Sequence, residues 1–167
     1  MKIYLAGPDV FRPDAESWAN GARELCRRYG FEPLLPLDHQ ETDPERIFHA
    51  NIDLIRKAQI VAANLDPFRG SEPDSGTAFE MGFALALGKK ICGYVSQLQT
   101  VAQRVAAAEK RSTPLPPDGD RLTDGDGLTV ENFGLPCNLM LSIPAHIVEG
   151  GLEVCLQSLR SRPFTNG

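Results

Sequence analysis

Three carboxylates, Glu72, Asp74 and Glu80, fall within the single stretch from Gly70 to Gly82. Glu80 lies among Ala78, Phe79, Met81 and Gly82, an apolar setting where a carboxylate is costly unless something compensates it. A helix opening near Thr77 puts Glu80 in its first turn, where the positive end of the macrodipole favours the ionised form. An ionised, partly desolvated carboxylate at a strand–helix junction can serve as a nucleophile. Thr77-Ala78-Phe79-Glu80 also fits a capping box, in which Glu80 reaches back to the amide of Thr77. Both readings stay open. Asp74, before Ser75-Gly76, suits turn chemistry as well as proton transfer.

Two other segments set polar groups among apolar ones. Ile47, Asn51, Leu54, Ile55 and Ala58 share one face at helical spacing, so Asn51 points inward and its amide must find partners. A satisfied core asparagine answers that need as well as a ligand contact does. Asp53 falls on the opposite face as a surface charge. Glu131 to Leu141 mixes amides with large apolar groups, fitting a buried segment, an interface or a pocket wall. His39, His49 and His146 have no metal-ligand spacing, and the expectation is no metal. No GxGxxG follows the first strand, and no GxxxxGK[ST] or GxSxG occurs, so dinucleotide, triphosphate and hydrolase-elbow chemistry lack support.

The elements that position these residues follow from periodicity and punctuation. Ile3 to Ala6 reads as a buried strand stopped by Gly7-Pro8. Pro13 to Tyr29 reads as a helix, and Phe31 to Leu35 as a strand whose Pro33 puts it at a sheet edge. Asp43-Pro44 opens a helix reaching Ala58, with proline in its favoured first turn. Ile60 to Ala63 and Lys90 to Val95 are strands, with a helix from Thr77 to Leu87 between them. Leu98 to Lys110 is a further helix, Ser112 to Thr129 a long loop, Ala145 to Val148 a fifth strand and Gly151 to Leu159 a closing helix. Short strands, apolar on both faces and alternating with helices, predict an α/β fold. It is doubly wound, flavodoxin-like or Rossmann-like: a five-stranded parallel sheet with helices on both faces, formed by residues 1–167 as one domain. Ligands in such sheets bind beyond the carboxyl ends of the strands. That singles out the segments Gly7 to Phe11, Pro36 to His39, Asn64 to Ser75 and Ser96 onward.

Composition narrows the partners. The 167 residues carry a formal net charge of −5, which argues against nucleic acid and anionic membranes. The run before Gly7-Pro8 is too short for a signal-peptide core, and no window approaches the roughly 18 apolar residues of a membrane span. Cys26, Cys92, Cys137 and Cys155 are far apart among apolar neighbours, as buried free thiols would be in a reducing compartment. A cytoplasmic location is expected.

In order and spacing these segments resemble the nucleoside 2-deoxyribosyltransferase family. The resemblance begins with Ile3-Tyr4-Leu5-Ala6-Gly7-Pro8 and Val10-Phe11, then Pro36-Leu37-Asp38 and Asn51-Ile52. It continues through Asp66-Pro67-Phe68-Arg69-Gly70 and Glu72 to Gly82, and ends with Gly134-Leu135-Pro136 and Asn138-Leu139-Met140-Leu141. It implies that Glu80 is the nucleophile, attacking the anomeric carbon of a 2′-deoxynucleoside to give a covalent deoxyribosyl-enzyme that a second base resolves with net retention. It implies that Tyr4 holds the nucleophile and that Asp74 handles protons on the base. Asn51 stands where some members carry aspartate; an amide can orient a base but cannot act as a general acid. Asn138 is expected to reach the sugar 5′-hydroxyl from a neighbouring subunit, so the site would be shared within a homo-oligomer. Phe11, Val10 and Met140 are expected to line the base pocket, with Asp38 and Gly76 as further substrate contacts. The implied partners are 2′-deoxynucleosides and free nucleobases, with no cofactor.

Two other functions fit the same scaffold. One is a hydrolase cleaving 2′-deoxynucleoside 5′-monophosphates, which would present serines and a basic group to a phosphate. The other is a non-catalytic nucleotide-sensing module, with a pocket but no nucleophile.

Overall fold

A computed structural model of the chain describes residues 1–111, 117–118 and 121–161. Its main sheet has five parallel strands, β1 (Lys2–Ala6), β2 (Glu32–Leu34), β3 (Ile60–Asn64), β4 (Lys90–Val95) and, last in the chain, β8 (His146–Glu149), in the spatial order β2-β1-β3-β4-β8. This is the doubly wound α/β sheet expected from the sequence. Pro33 sits in β2, at the edge, where its missing amide hydrogen interrupts no ladder. The strand order reverses between β1 and β3, so a crevice opens beyond their carboxyl ends.

The pleat decides what faces that crevice. β1 pairs with β3 in the register Ile3↔Ile60 and Tyr4↔Val61. Ile3, Leu5, Ile60 and Ala62 pack under α1 (Ala15–Arg28) and α6 (Leu152–Ser161) on one face. Tyr4, Ala6, Val61 and Ala63 turn to the other face, under α2 (Pro44–Lys57) and α3 (Ser75–Ala86). On α3, Thr77, Met81 and Ala84 form the buried stripe. Glu80, three residues after Thr77 and four before Ala84, lies along the same stripe. Alternation along β1 and helical spacing along α3 therefore aim Tyr4 and Glu80 at each other.

Helix starts follow local chemistry. Asp43 caps α2 by accepting from the Arg46 amide at 3.1 Å, with Pro44 in the first turn. Thr100 and Gln103 form a reciprocal capping box on α4 (Val101–Ala108). α3 begins earlier than its sequence suggests: Asp74, not Thr77, is the cap, accepting from the Thr77 amide at 3.0 Å and its hydroxyl at 3.3 Å.

The stretch expected as one loop, Ser112 to Thr129, contains a small antiparallel sheet. Strands β5 (Pro117–Asp118), β6 (Arg121–Thr123) and β7 (Thr129–Val130) pair in that order, while residues 112–116 and 119–120 lie outside the described residues. The Asp and Gly residues that suggest a loop make a tight turn here, with the Asp124 carboxylate accepting from the amides of Asp126 and Leu128. Val130 and Leu122 pack against Val101 and Val105 of α4. A short helix α5 (Leu139–Ser142) precedes β8.

Candidate active site

The crevice holds a cavity of about 390 Å³. Its floor is the exit of β1: Gly7, then Val10 and Phe11 from a 3₁₀ turn, Pro8–Phe11. A Cβ on Gly7 would come within 2.8 Å of Asn64 Cβ and 2.9 Å of the Asp9 carboxylate, so only glycine lets the exits of β1 and β3 pass this closely. One wall is Pro36, Leu37, His39 and Glu41 after β2, together with Ile47 and Asn51 of α2. The opposite wall is the start of α3, with Asp74, Gly76 and Glu80. Phe11 forms part of the rim, stacked on Phe68 at 5.5 Å between ring centres, with the Arg69 guanidinium over both rings.

Glu80 is the most perturbed carboxyl lining the cavity. The fully buried Tyr4 donates its hydroxyl to Glu80 Oε1 at 2.5 Å, and among the described residues nothing donates to Oε2. Burial pushes the Glu80 carboxyl up from 4.5 to about 7; the Tyr4 hydrogen bond pulls it down and the nearby Asp74 charge raises it. The first-turn dipole effect expected from the sequence is lost, because the earlier cap places Glu80 in the second turn, and desolvation wins. Nor does Glu80 close a capping box, since Asp74 occupies that role. Tyr4 is held far above the ordinary tyrosine value, first by burial and then by the Glu80 charge, so its hydroxyl is a donor throughout the accessible range.

The remaining site residues divide. Asp74 commits Oδ2 to its cap, and a Cβ on Gly76 would sit 2.9 Å from that same oxygen, so glycine keeps the carboxylate unobstructed. Asn51 points inward, its Oδ1 3.1 Å from His39 Nε2. Asp53 lies on the exposed side, paired with Arg56. Asp38 does not line the cavity; it accepts from the Leu35 amide at 2.7 Å and from Arg23 at 2.8 Å, a role in shaping the 3₁₀ turn Pro36–Asp38. Asn138 caps α5, accepting from the Met140 amide at 3.0 Å and donating to Glu131 at 2.7 Å, outside the cavity of its own chain. Met140 is 72% exposed and does not line it either.

Sequence reasoning passed over His39, although it ends one of the segments marked as facing the ligand end of the sheet. The signal was its place after a strand, not its type. It also passed over Arg104, buried on α4, which donates to the Leu65 carbonyl at 2.8 Å and ties that helix to the exit of β3. All four cysteines are buried and none is in a disulfide. Among the described residues no cluster of His, Cys, Asp and Glu could hold a metal ion, and no helix is long and apolar enough to cross a membrane.

Residues 3–140 match the family described as nucleoside 2-deoxyribosyltransferase. A solved 2-desoxiribosyltransferase from Leishmania mexicana superposes with a TM-score of 0.78 at 35% identity, covering 98% of this chain and 99% of that one. An uncharacterized protein of Schizosaccharomyces pombe is 30% identical over 155 residues, covering 83% of this chain and 74% of the relative. A CMP N-glycosidase from Clostridium botulinum shares the fold at 15% identity and a TM-score of 0.52, over 97% of this chain and 100% of that one.

Proposed function

The chain belongs to the nucleoside 2-deoxyribosyltransferase family, and from that premise we propose that it moves 2-deoxyribose from a 2′-deoxynucleoside to an acceptor nucleobase. The observation that carries this reading is Glu80: a carboxylate at the cavity wall, one oxygen fixed by Tyr4 and the other without a donor among the described residues. In the first displacement Glu80 attacks C1′, the C–N bond breaks with its electron pair going to the base, and a deoxyribosyl ester forms. In the second, the acceptor base attacks the same carbon and Glu80 leaves, giving net retention, the same two-step logic as retaining glycosidases. The carboxylate also stabilises the positive charge that builds on the sugar, while Asp74 exchanges protons with the departing and arriving bases. Asn51 orients the base without proton transfer. Val10, Phe11 and Gly76 contact the bound nucleoside, with Phe11 offering a ring face at the rim.

Asn138 and Met140 are assigned to the site of a neighbouring copy, Asn138 on the sugar 5′-hydroxyl. Support comes from their position outside their own cavity and from the apolar surface around them, where Phe133 and Ile143 are also exposed. Phe48 and Phe79, their rings 5.9 Å apart, are exposed apolar groups on α2 and α3. The working unit is therefore at least a homodimer, acting in nucleobase salvage. Four buried cysteines outside any disulfide suit the reducing cytoplasm.

The hydrolase reading fares less well, because the residue assigned to the 5′ end is Asn138 rather than a serine or a basic group, and because among the described residues the cavity is lined by Asp74, Glu80 and Glu41 and by no lysine or arginine. A base-exchange assay separates the readings. Deoxyinosine with free adenine should yield deoxyadenosine and hypoxanthine. Release of sugar phosphate from a deoxynucleoside monophosphate, with no exchange product from the first mixture, would instead make the protein an N-glycosidase.

A further inference from the structure

His39 presents an asymmetric pair of ring nitrogens. Nε2 lies 3.1 Å from Asn51 Oδ1, while Nδ1 is sealed from solvent and has no hydrogen-bond partner among the described residues. Imidazole with one proton must choose which nitrogen carries it, and a buried N–H without an acceptor is the more costly outcome. The proton therefore belongs on Nε2, which donates to Asn51 Oδ1. That choice fixes the amide of Asn51: its oxygen is turned to His39, and its NH₂, which donates to no described residue, is left for the cavity that both residues line.

From this geometry we infer that His39 is a specificity-determining positioning residue: by holding the oxygen of Asn51, it leaves the site a hydrogen-bond donor, selecting bases with an acceptor edge. The inference deepens the transferase reading and rests on it. An asparagine with both ends free reads a 6-aminopurine edge in two-point fashion, accepting from the exocyclic amine and donating to the ring nitrogen N7. With one lone pair of the oxygen spent and the amide turned toward His39, the amine meets a weakened and poorly aimed acceptor, whereas a 6-oxopurine meets the amide hydrogens with both O6 and N7. The substrate class favoured at this subsite is therefore the 6-oxopurines over the 6-aminopurines.

The test uses full-length protein with 2′-deoxyguanosine as donor and hypoxanthine and adenine competing as acceptors. Wild type should favour hypoxanthine up to about tenfold in kcat/KM, the scale of one neutral hydrogen bond gained or lost. His39→Leu should bring the ratio close to one. His39→Gln, whose side-chain amide can donate from nearly the place of Nε2, should restore it. A uniform loss toward both bases in His39→Leu, with the ratio unchanged, would make His39 a packing residue and overturn the inference. The ring-nitrogen NMR shifts of His39 give a readout independent of turnover. A proton on Nε2 is expected, and a proton on Nδ1 overturns the assignment even in an active enzyme. Absence of transfer to either base in the wild type would defeat the transferase reading instead, leaving the NMR result to decide the His39–Asn51 bond.

Discussion

The Tyr4–Glu80 pair, 76 residues apart, and the Glu131–Asn138 pair, seven apart, are both side-chain hydrogen bonds, yet they prepare their residues in opposite ways. Glu80 is desolvated beside the cavity with one oxygen unspent, and its carboxyl is pushed up to about 7. Asn138 has its amide committed, to Glu131 and to the turn of α5, and stands outside its own cavity. The first pair stores a cost that substrate can relieve; the second holds its residue rigidly, outside its own cavity. In the proposed mechanism, reactivity comes from what one chain leaves unsatisfied, and completion of the site from what a neighbouring copy would hold ready.

The comparison breaks most sharply at Glu80. Glu80→Gln should lower transfer by about 10⁴-fold or more, the scale of losing a covalent nucleophile, and yet raise stability above neutral pH. The folded chain keeps the Glu80 proton up to about pH 7, whereas the unfolded chain releases it near 4.5, so stability falls as pH rises through that window. The amide removes the cost, about 2–3 kcal/mol at pH 8, and should change little below pH 4. Chemical denaturation at both pH values, alongside the rate, checks this. A variant less stable than wild type at pH 8 would mean that the carboxylate supports the fold.

The same contrast sharpens at Asp74, which both caps a helix and lines the cavity. Asp74→Asn keeps a good capping side chain but loses proton transfer, so a fall of roughly 10²–10³-fold in kcat with little change in Tm is expected. An equal fall in activity and stability would instead assign Asp74 to the cap alone. For the second pair, the expected loss in Asn138→Ala is about 10–100-fold. Mixing it with Glu80→Ala under subunit exchange should restore activity, because one site of each hybrid carries both native residues. No recovery in proven hybrids would place Asn138 outside a shared site. The smallest effect is at Tyr4→Phe, which should lower kcat/KM about tenfold. It should also move the acid limb of the pH profile upward from about 7, since the lost hydrogen bond was pulling the Glu80 carboxyl down.

The sheet was legible because β1, β3 and β4 are apolar on both faces and Pro33 marks an edge. Glu80 was legible as a carboxylate out of place among Ala78, Phe79 and Met81. Its turn in the helix was not, because Asp74, Ser75 and Thr77 are all good capping residues and only the observed Asp74–Thr77 bonds choose among them. That choice moves Glu80 beyond the reach of the helix end and leaves burial to set its proton affinity. The family resemblance suggested Asp38 as a ligand contact, but here its carboxylate accepts from Arg23 and the Leu35 amide and closes a turn. The small sheet was hidden because the same Asp and Gly residues serve a long loop and a tight hairpin turn alike.

The most direct measurement is to mix the protein with 2′-deoxyinosine, quench it in acid and map the modified peptide by mass spectrometry. The account predicts one deoxyribosyl group esterified to Glu80, lost when adenine is added before the quench and absent in Glu80→Gln. Base exchange proceeding without that adduct, or with the sugar attached elsewhere, would contradict it.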